Sequence, residues 1–416
     1  MEAVPLFVNK KEMVLATILL SLLFCISLGW DYYKYKTLTS KPLHATEAKV
    51  LNHYQKHKAN GRVYDVFKLK SYDGYTFYTV SWKKKNIPIE SRVLVEFKTD
   101  KISFLNYLKN FFAVNIFIKN LNIAQTSRLE KLKSYVKNQH KFSDLKEIFQ
   151  ALFFATNISK STRYKIQKLG ISHLVAISGF HLGLISAILY FFLSPIYRFF
   201  QNRYFPYRNI KADLAFVVFA LLFFYMYIID FSPSFLRSFV LSLFGFFLFS
   251  KNIKIISFGT LLISVSLILI LFPKLLFSIS FWFSVSGVFY IFLFLKHFGN
   301  LNKIWIFILL NFFVFALMMP IVHSIFKVFT PLQLYSPFFS MIFVVFYPLE
   351  LFLHILSLGG LFDIWLEKLL NLQTSFYEVT TPLWFLIIYL CLSLISIFSR
   401  WLTLLLLLFS FAIYFI

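Results

Sequence analysis

The chain is 416 residues long, 59% hydrophobic and 21% aromatic, with only 14% charged residues. So few charges cannot cover a water-facing surface, and the Phe and Leu come in long runs. This excludes a soluble enzyme and indicates a polytopic α-helical membrane protein. The net charge of +24 is uneven: residues 31–101 hold 15 Lys and Arg against 7 Asp and Glu (+8), and residues 102–170 hold 12 against 3 (+9). A basic surface of that size attracts polyanions, either nucleic acid or anionic lipid headgroups, or serves only solubility.

Lys10 and Lys11 precede an apolar stretch from Met13 to about Trp30. It has no small-residue cleavage site, so residues 1–30 are read as a retained first membrane helix rather than a signal peptide. Residues 31–101 have strand-like alternation and predict a small antiparallel β domain. Two strands, Arg62–Lys70 and Tyr75–Trp82, flank Asp73-Gly74, a good type I′ hairpin turn. A third strand, Arg92–Lys98, puts Val93, Val95 and Phe97 on one face. Tyr64, Tyr72, Tyr75, Tyr78 and Trp82 interleave with Lys68, Lys70, Lys83, Lys84 and Lys85. Aromatic platforms beside cations suit sequence-independent binding of single strands, although about half of such aromatics must be core in a small barrel.

Residues 102–170 are expected to be an amphipathic interfacial segment (102–118) followed by a basic helical region. From Ile171 to the end, nine further apolar stretches follow, giving about ten spanning helices and a membrane domain over 171–416. The two cysteines, Cys25 and Cys391, fall in predicted membrane helices, so no disulfide framework or cysteine metal site arises. The positive-inside rule places the N-terminus in the cytoplasm if 102–118 does not span. The loops carrying Arg198, Arg203, Arg208 and Lys211, then Lys251 and Lys254, then Lys296 and Lys303, then all lie inside. The basic β domain lies outside.

Within the apolar region a few polar residues stand out, and at membrane depth such groups face protein or a water-filled path. His173, Ser178 and His181 open a run that is apolar to about Leu193, read as one helix with the two histidines about 80° apart. Gly179 and Gly183 form a small-xxx-small pair. Ser232, Pro233 and Ser234 have the chemistry of a helix start, with Arg237 one turn inside. That arginine faces a conduit, or else snorkels to the interface or pairs with Asp230. Ser278, Ser280, Ser284, Ser286 and Gly287 form a small polar stripe that lines a path or packs. Pro273, Pro320, Pro337 and Pro348 are expected to kink or break helices, and His323 and His354 to point into the bundle.

Gly170, His173-Leu174, Ala176-Ile177-Ser178-Gly179 and His181 read as G-x-x-HL-x-AISG-x-H, which resembles the signature of the ComEC-type competence proteins. Four weaker stretches follow in the same order. Pro233-Ser234 with Arg237-Ser238 resembles P-S-x-x-R-A, and Pro273, Ser278, Phe281 and Ser284 resemble P-x-x-x-x-S-x-x-F-x-x-S. The others are Pro320 with His323, and Pro337 to Pro348, where Ser336-Pro337 replaces an asparagine common in the family. The resemblance covers about residues 30–360. It implies an inner-membrane channel that passes transforming single-stranded DNA into the bacterial cytoplasm, with an OB-like N-terminal domain. It further implies a periplasmic DNA receptor, and cytosolic single-strand binding proteins or a translocase motor, as partners. This chain is expected to be a short form, without the metallo-β-lactamase-like domain that many members carry. It has no H-x-H-x-D-H-like motif and no phosphate-binding loop, so neither enzymatic activity nor a cofactor is expected. Two other classes compete: a small-solute or lipid-linked sugar transporter, and an intramembrane serine protease using Ser178 with His323 as base.

Overall fold

A computed structural model describes residues 4–7, 9–57, 63–82, 87–88, 91–121 and 128–412. The chain forms two units. One comprises Asn9–Ser127 and Val265–Ile279; the other comprises Met1–Val8, Arg128–Ser264 and Ser280–Ile416.

The first unit begins with α1 (Lys10–Thr39), which runs beyond Trp30. Its apolar side chains face outward along the spanning stretch, as lipid requires, and its last turns bury Leu38 against the β core. A six-stranded sheet follows, in the order β5-β3-β2-β1-β4-β6. Its strands are β1 (Leu43–His57), β2 (Val63–Ser71), β3 (Thr76–Ser81), β4 (Arg92–Lys98), β5 (Phe111–Phe112) and β6 (Asn115–Asn120). The long β1 pairs antiparallel with β4 from Leu43↔Lys98 to Lys49↔Arg92, and with β2 from Ala48↔Ser71 to His57↔Val63. A bulge between Val50 and Asn52 shifts the register, so the alternation that buries Ala48 and Val50 changes parity, and His53 rather than Asn52 stacks on Phe67.

The β2–β3 turn differs from type I′. That type needs a positive φ at both central residues, and Gly74 (φ 88°) has one while Asp73 does not. Gly74 N–H donates to Ser71 O at 3.1 Å, and Ser71 N–H to Tyr75 O at 2.9 Å. This is a three-residue loop with glycine at the left-handed position, and Ser71, Thr46 and Asp73 hydrogen-bond around it.

Residues 102–118, expected to be an amphipathic interfacial segment, join the sheet. They form the six-residue α2 (Phe104–Lys109), capped by Ser103, then β5 and most of β6. β5 joins β3 in parallel and β6 joins β4 antiparallel. The physical reason is that both outer strands of the sheet offered unpaired backbone groups. Tyr107, Leu108, Phe111, Ala113 and Ile118 then complete the core around Phe67, Phe77 and Phe97.

The second unit is helical. Before the motif come α3 (Arg128–Asn138), α4 (Ser143–Phe154), α5 (Lys160–Lys168) and the single turn α6 (Ser172–Val175). The apolar helices that follow are α7 (Gly179–Tyr204), α8 (Ile210–Ile228), α9 (Pro233–Ser250), α10 (Phe258–Leu271), α11 (Ile279–Phe298), α12 (Lys303–His323) and α13 (Ser336–Ile355). α10 crosses the division between the two units. A short ribbon of β7 (Val328–Phe329) and β8 (Tyr377–Glu378) accompanies α14 (Asp363–Leu370), α15 (Leu383–Ile395) and α16 (Arg400–Phe411).

Seven helices among the described residues are long and apolar enough to cross a membrane: α1, α7, α8, α9, α11, α12 and Pro331–Ile355. Three further apolar helices are shorter: α10, Leu383–Phe398 and α16. A helix of α10's length reaches only about 21 Å, against roughly 30 Å of hydrocarbon. The ten expected spans are therefore seven full-length helices and three short ones. Pro273 does break the chain, opening a short 3₁₀ turn, and Pro337 lies in the first turn of α13. Pro320 and Pro348 stay inside continuous helices.

Candidate functional site

The motif does not form one helix from residue 171. Gly170 takes a left-handed conformation (φ 70°), where a Cβ would lie 3.2 Å from Gln333 Cα and Ser336 Cβ. Only glycine fits there without strain. The chain turns once as α6, becomes extended at Ala176–Ser178 and restarts as α7. Ser178 is the N-cap and His181 the N3 residue of a capping box, in which Ser178 N–H donates to His181 Nδ1 at 3.3 Å. The serine and histidine of the motif therefore end one helix and begin the next.

The break separates the two histidines. His173 is exposed, its Nδ1 bonding Gly170 O at 3.1 Å and its Nε2 lying 3.0 Å from Ser340 Oγ. His181 is fully buried, with the rings of Phe343 and Tyr347 packed edge-on at 5.5 and 5.0 Å. The reading of one helix carrying both histidines about 80° apart is corrected: the chain breaks between them, and His181 sits in an aromatic box. Ser336 donates to Gly170 O at 3.0 Å. The segment thus joins α13 to the start of α7.

α7 also meets α9. A Cβ at Gly179 would lie 3.0 Å from Ser238 Oγ, whereas nothing lies within 4 Å of one at Gly183. The small-xxx-small pair is therefore a contact at its first member only. Pro233 starts α9, after Ser232. One turn in, Arg237 is 4% exposed. Its Nη1 donates to Ser280 Oγ at 3.2 Å, and its Nη2 to Ser234 Oγ and Ser280 O at 3.4 Å each. The guanidinium also lies 5.8 Å from the Phe281 ring. It makes no ion pair among the described residues; its partners are not Asp230 but the Ser234 hydroxyl on α9 and the hydroxyl and carbonyl oxygens of Ser280 on α11. A buried cation neutralised by no carboxylate is costly, and an anion arriving there would find donors already aimed.

Ser284 is exposed on α11, beyond Ser280. His323 is 1% exposed at the end of α12, with its Nδ1 2.9 Å from Phe326 O. The histidine that touches Ser178 is His181, not the base expected for a protease. A cavity of about 580 Å³ opens between α7, α8 and α9 and is lined by apolar residues with Ser186 and Ser242. A second, about 110 Å³, lies between α9, α10 and α11. Neither is lined by His181, Arg237 or His323.

In the β sheet, Tyr75 is 4% exposed and belongs to the core, so it cannot stack on a base. Tyr78 and Lys68 are half-buried, directly opposite on neighbouring strands, with Nζ 5.8 Å from the ring. Burial holds the Lys68 ammonium below the ordinary lysine value. Lys70 shares this outer face, and exposed Trp82 lies 5.3 Å from Tyr64. Lys83, Lys84 and Lys85 lie outside the described residues. Sequence reasoning missed β1's share of the face. Lys49 lies opposite Lys70, Asn52 opposite Lys68 and Lys56 opposite Tyr64, and Lys56 Nζ is 5.9 Å from the Tyr54 ring. The bulge hid these residues, because it breaks the period-two pattern that reveals a strand.

The model of the family described as Competence protein matches residues 154–416, more than half of the chain, and includes the joint and Arg237. No curated protein and no solved structure gives a significant match. The fold is mostly helical with several membrane-length helices, and by the family match this chain belongs to the Competence protein family.

Proposed function

We propose that this protein is the bacterial inner-membrane channel through which one strand of transforming DNA reaches the cytoplasm. The observation that carries this reading is Arg237: a buried guanidinium held by Ser234 and Ser280, without a carboxylate, beside the α7–α9 contact. A phosphate passing this point replaces serine oxygens rather than breaking an ion pair, so it can be bound and released. Conduction of a polymer needs such weak, replaceable contacts.

The sheet supports the same reading as an OB-like collector outside the membrane. Lysines and aromatic rings alternate on its outer face, which suits backbone attraction and base stacking without sequence preference. With the N-terminus cytoplasmic, this face meets DNA delivered by a periplasmic receptor, and cytosolic single-strand binding proteins or a motor draw the strand inward. His181 and the aromatic box close the joint, so passage requires α7 to part from α9 and α13.

The test follows fluorescent DNA in cells carrying His181→Ala, Arg237→Ala or a deletion of residues 40–100. DNA is expected to reach the periplasm and stop there, with membrane levels of the protein unchanged. Normal transformation in all three strains would refute the assignment.

A further inference from the structure

A cluster of buried ionisable groups lies within the helical unit, away from the motif. His140, between α3 and α4, and His354, near the end of α13, place their Nε2 atoms 3.0 Å apart. The opposite nitrogen of each ring is committed. His354 Nδ1 lies 2.7 Å from Glu350 O. A carbonyl can only accept, so Nδ1 carries the hydrogen. His140 Nδ1 lies 2.7 Å from Asp363 Oδ1, and Asp363 Oδ2 accepts Lys141 N–H at 2.7 Å. The Asp363 carboxylate likewise occupies the Nδ1 side of the His140 ring. Each Nε2 is left with the other, 3.0 Å away, as its polar partner among the described residues, an arrangement that suits two ligands converging on one cation.

The surroundings fit such a cation. Asp363 and Glu350 are 1% and 0% exposed, and neither forms an ion pair with Lys or Arg among the described residues; Glu350 Oε2 lies 3.3 Å from His354 Nδ1. Lys146 is the basic side chain that acts on His140, and Phe149 and Phe153 pack on the rings. At Gly359 a Cβ would lie 2.5 Å from His354 Nε2 and 2.7 Å from Gln139 Oε1, so only glycine lets the backbone approach both atoms this closely. A carboxylate or carbonyl behind each imidazole is the usual outer shell of a histidine that binds metal.

We propose that His140 and His354 ligate a divalent transition-metal ion of the zinc class through Nε2, and that the ion fastens the α3–α4 connection to the ends of α13 and the start of α14. Among the described residues no three His, Cys, Asp or Glu side chains surround a common point. Gln139 Oε1, which accepts the Gly359 N–H at 2.8 Å, and water would supply the remaining positions. Two Nε2 atoms at about 2.0–2.1 Å from a tetrahedral ion stand roughly 3.3 Å apart, so loading opens the pair by a few tenths of an ångström. The ion also balances the two buried carboxylates.

The experiment uses the full chain purified in detergent, stripped with a chelator and reloaded with cobalt(II). One cobalt per chain with visible ligand-field bands is expected, lost in a His140→Ala/His354→Ala double variant and weakened ~10–100-fold in Asp363→Asn. The wild-type measurement does not depend on any variant folding. Wild-type protein that binds no cobalt, as a proton shared between the imidazoles would require, overturns the proposal. Equal cobalt binding and spectra in the double variant overturn it too.

Discussion

The β sheet and the helix bundle hold their cations in opposite ways. On the sheet, Lys49, Lys56, Lys68 and Lys70 share an outer face with tyrosines and remain partly solvated. In the bundle, Arg237 is withdrawn from solvent and satisfied by serines. A solvated cation attracts a polyanion weakly and from a distance, and salt screens it. A desolvated cation acts on one group at close range, where the low dielectric strengthens the interaction. Gathering a strand suits the first arrangement, and passing it phosphate by phosphate suits the second.

The sharpest way to break this comparison is at Arg237. Losing a guanidinium's two charge-assisted hydrogen bonds to a passing phosphate is worth about 3 kcal/mol, so Arg237→Ala should lower transformation by roughly two orders of magnitude. Arg237→Lys should fall between the two, because a lysine keeps the charge but not the fork. Equal transformation by Arg237→Ala and wild type would place the cation outside the path. Next comes Gly179→Ala, whose Cβ meets Ser238 Oγ. Overpacking of this kind costs about 1–3 kcal/mol, read as a lower melting temperature, and adding Ser238→Ala should restore it. Failure of the second change to rescue the first would mean that α7 and α9 do not bear on each other at this point.

On the sheet the effects are smaller and of a different kind. Tyr78→Ala should cost about 1–3 kcal/mol in binding of single-stranded oligonucleotides to the purified protein if a base stacks there. Lys68→Ala should weaken binding evenly across sequences and reduce the salt slope by about 0.7. A sequence-dependent loss would contradict a backbone contact.

The smallest effect is with pH. Burial is the leading cause that holds both His44, on the sheet, and His140, in the bundle, below the usual histidine value. The unfolded chain then binds protons that the folded chain refuses. Stability is therefore complete above the ordinary histidine value of about 6.5 and declines as pH falls through it. Melting curves should shift down on acidification across that range. A melting temperature that rises there would reverse the sign.

The two regions were also legible to different degrees. Three strands could be read because water lies on one face and core on the other, so residues such as Val93, Val95 and Phe97 alternate with polar neighbours. β1 is hidden, because its bulge resets the alternation, as are β5 and β6, whose apolar aromatic run reads as an amphipathic segment. Lipid is as apolar as a helix interior, so periodicity says little about which face of a membrane helix is buried, and only the polar residues carried information.

The sequence by itself determined the membrane class, the basic N-terminal part, the family motif and the identity of Ser178, His181 and Arg237 as residues that must find partners away from lipid. Only the tertiary structure decided which partners. It broke the motif into two helices at Gly170 and Ser178, enclosed His181 in rings from α13, and gave Arg237 serines instead of Asp230. It also brought His140 to His354 across more than two hundred residues. The reason is that spacing along one helix fixes which residues share a face, whereas the neighbour across that face comes from remote segments whose approach depends on packing of the whole bundle.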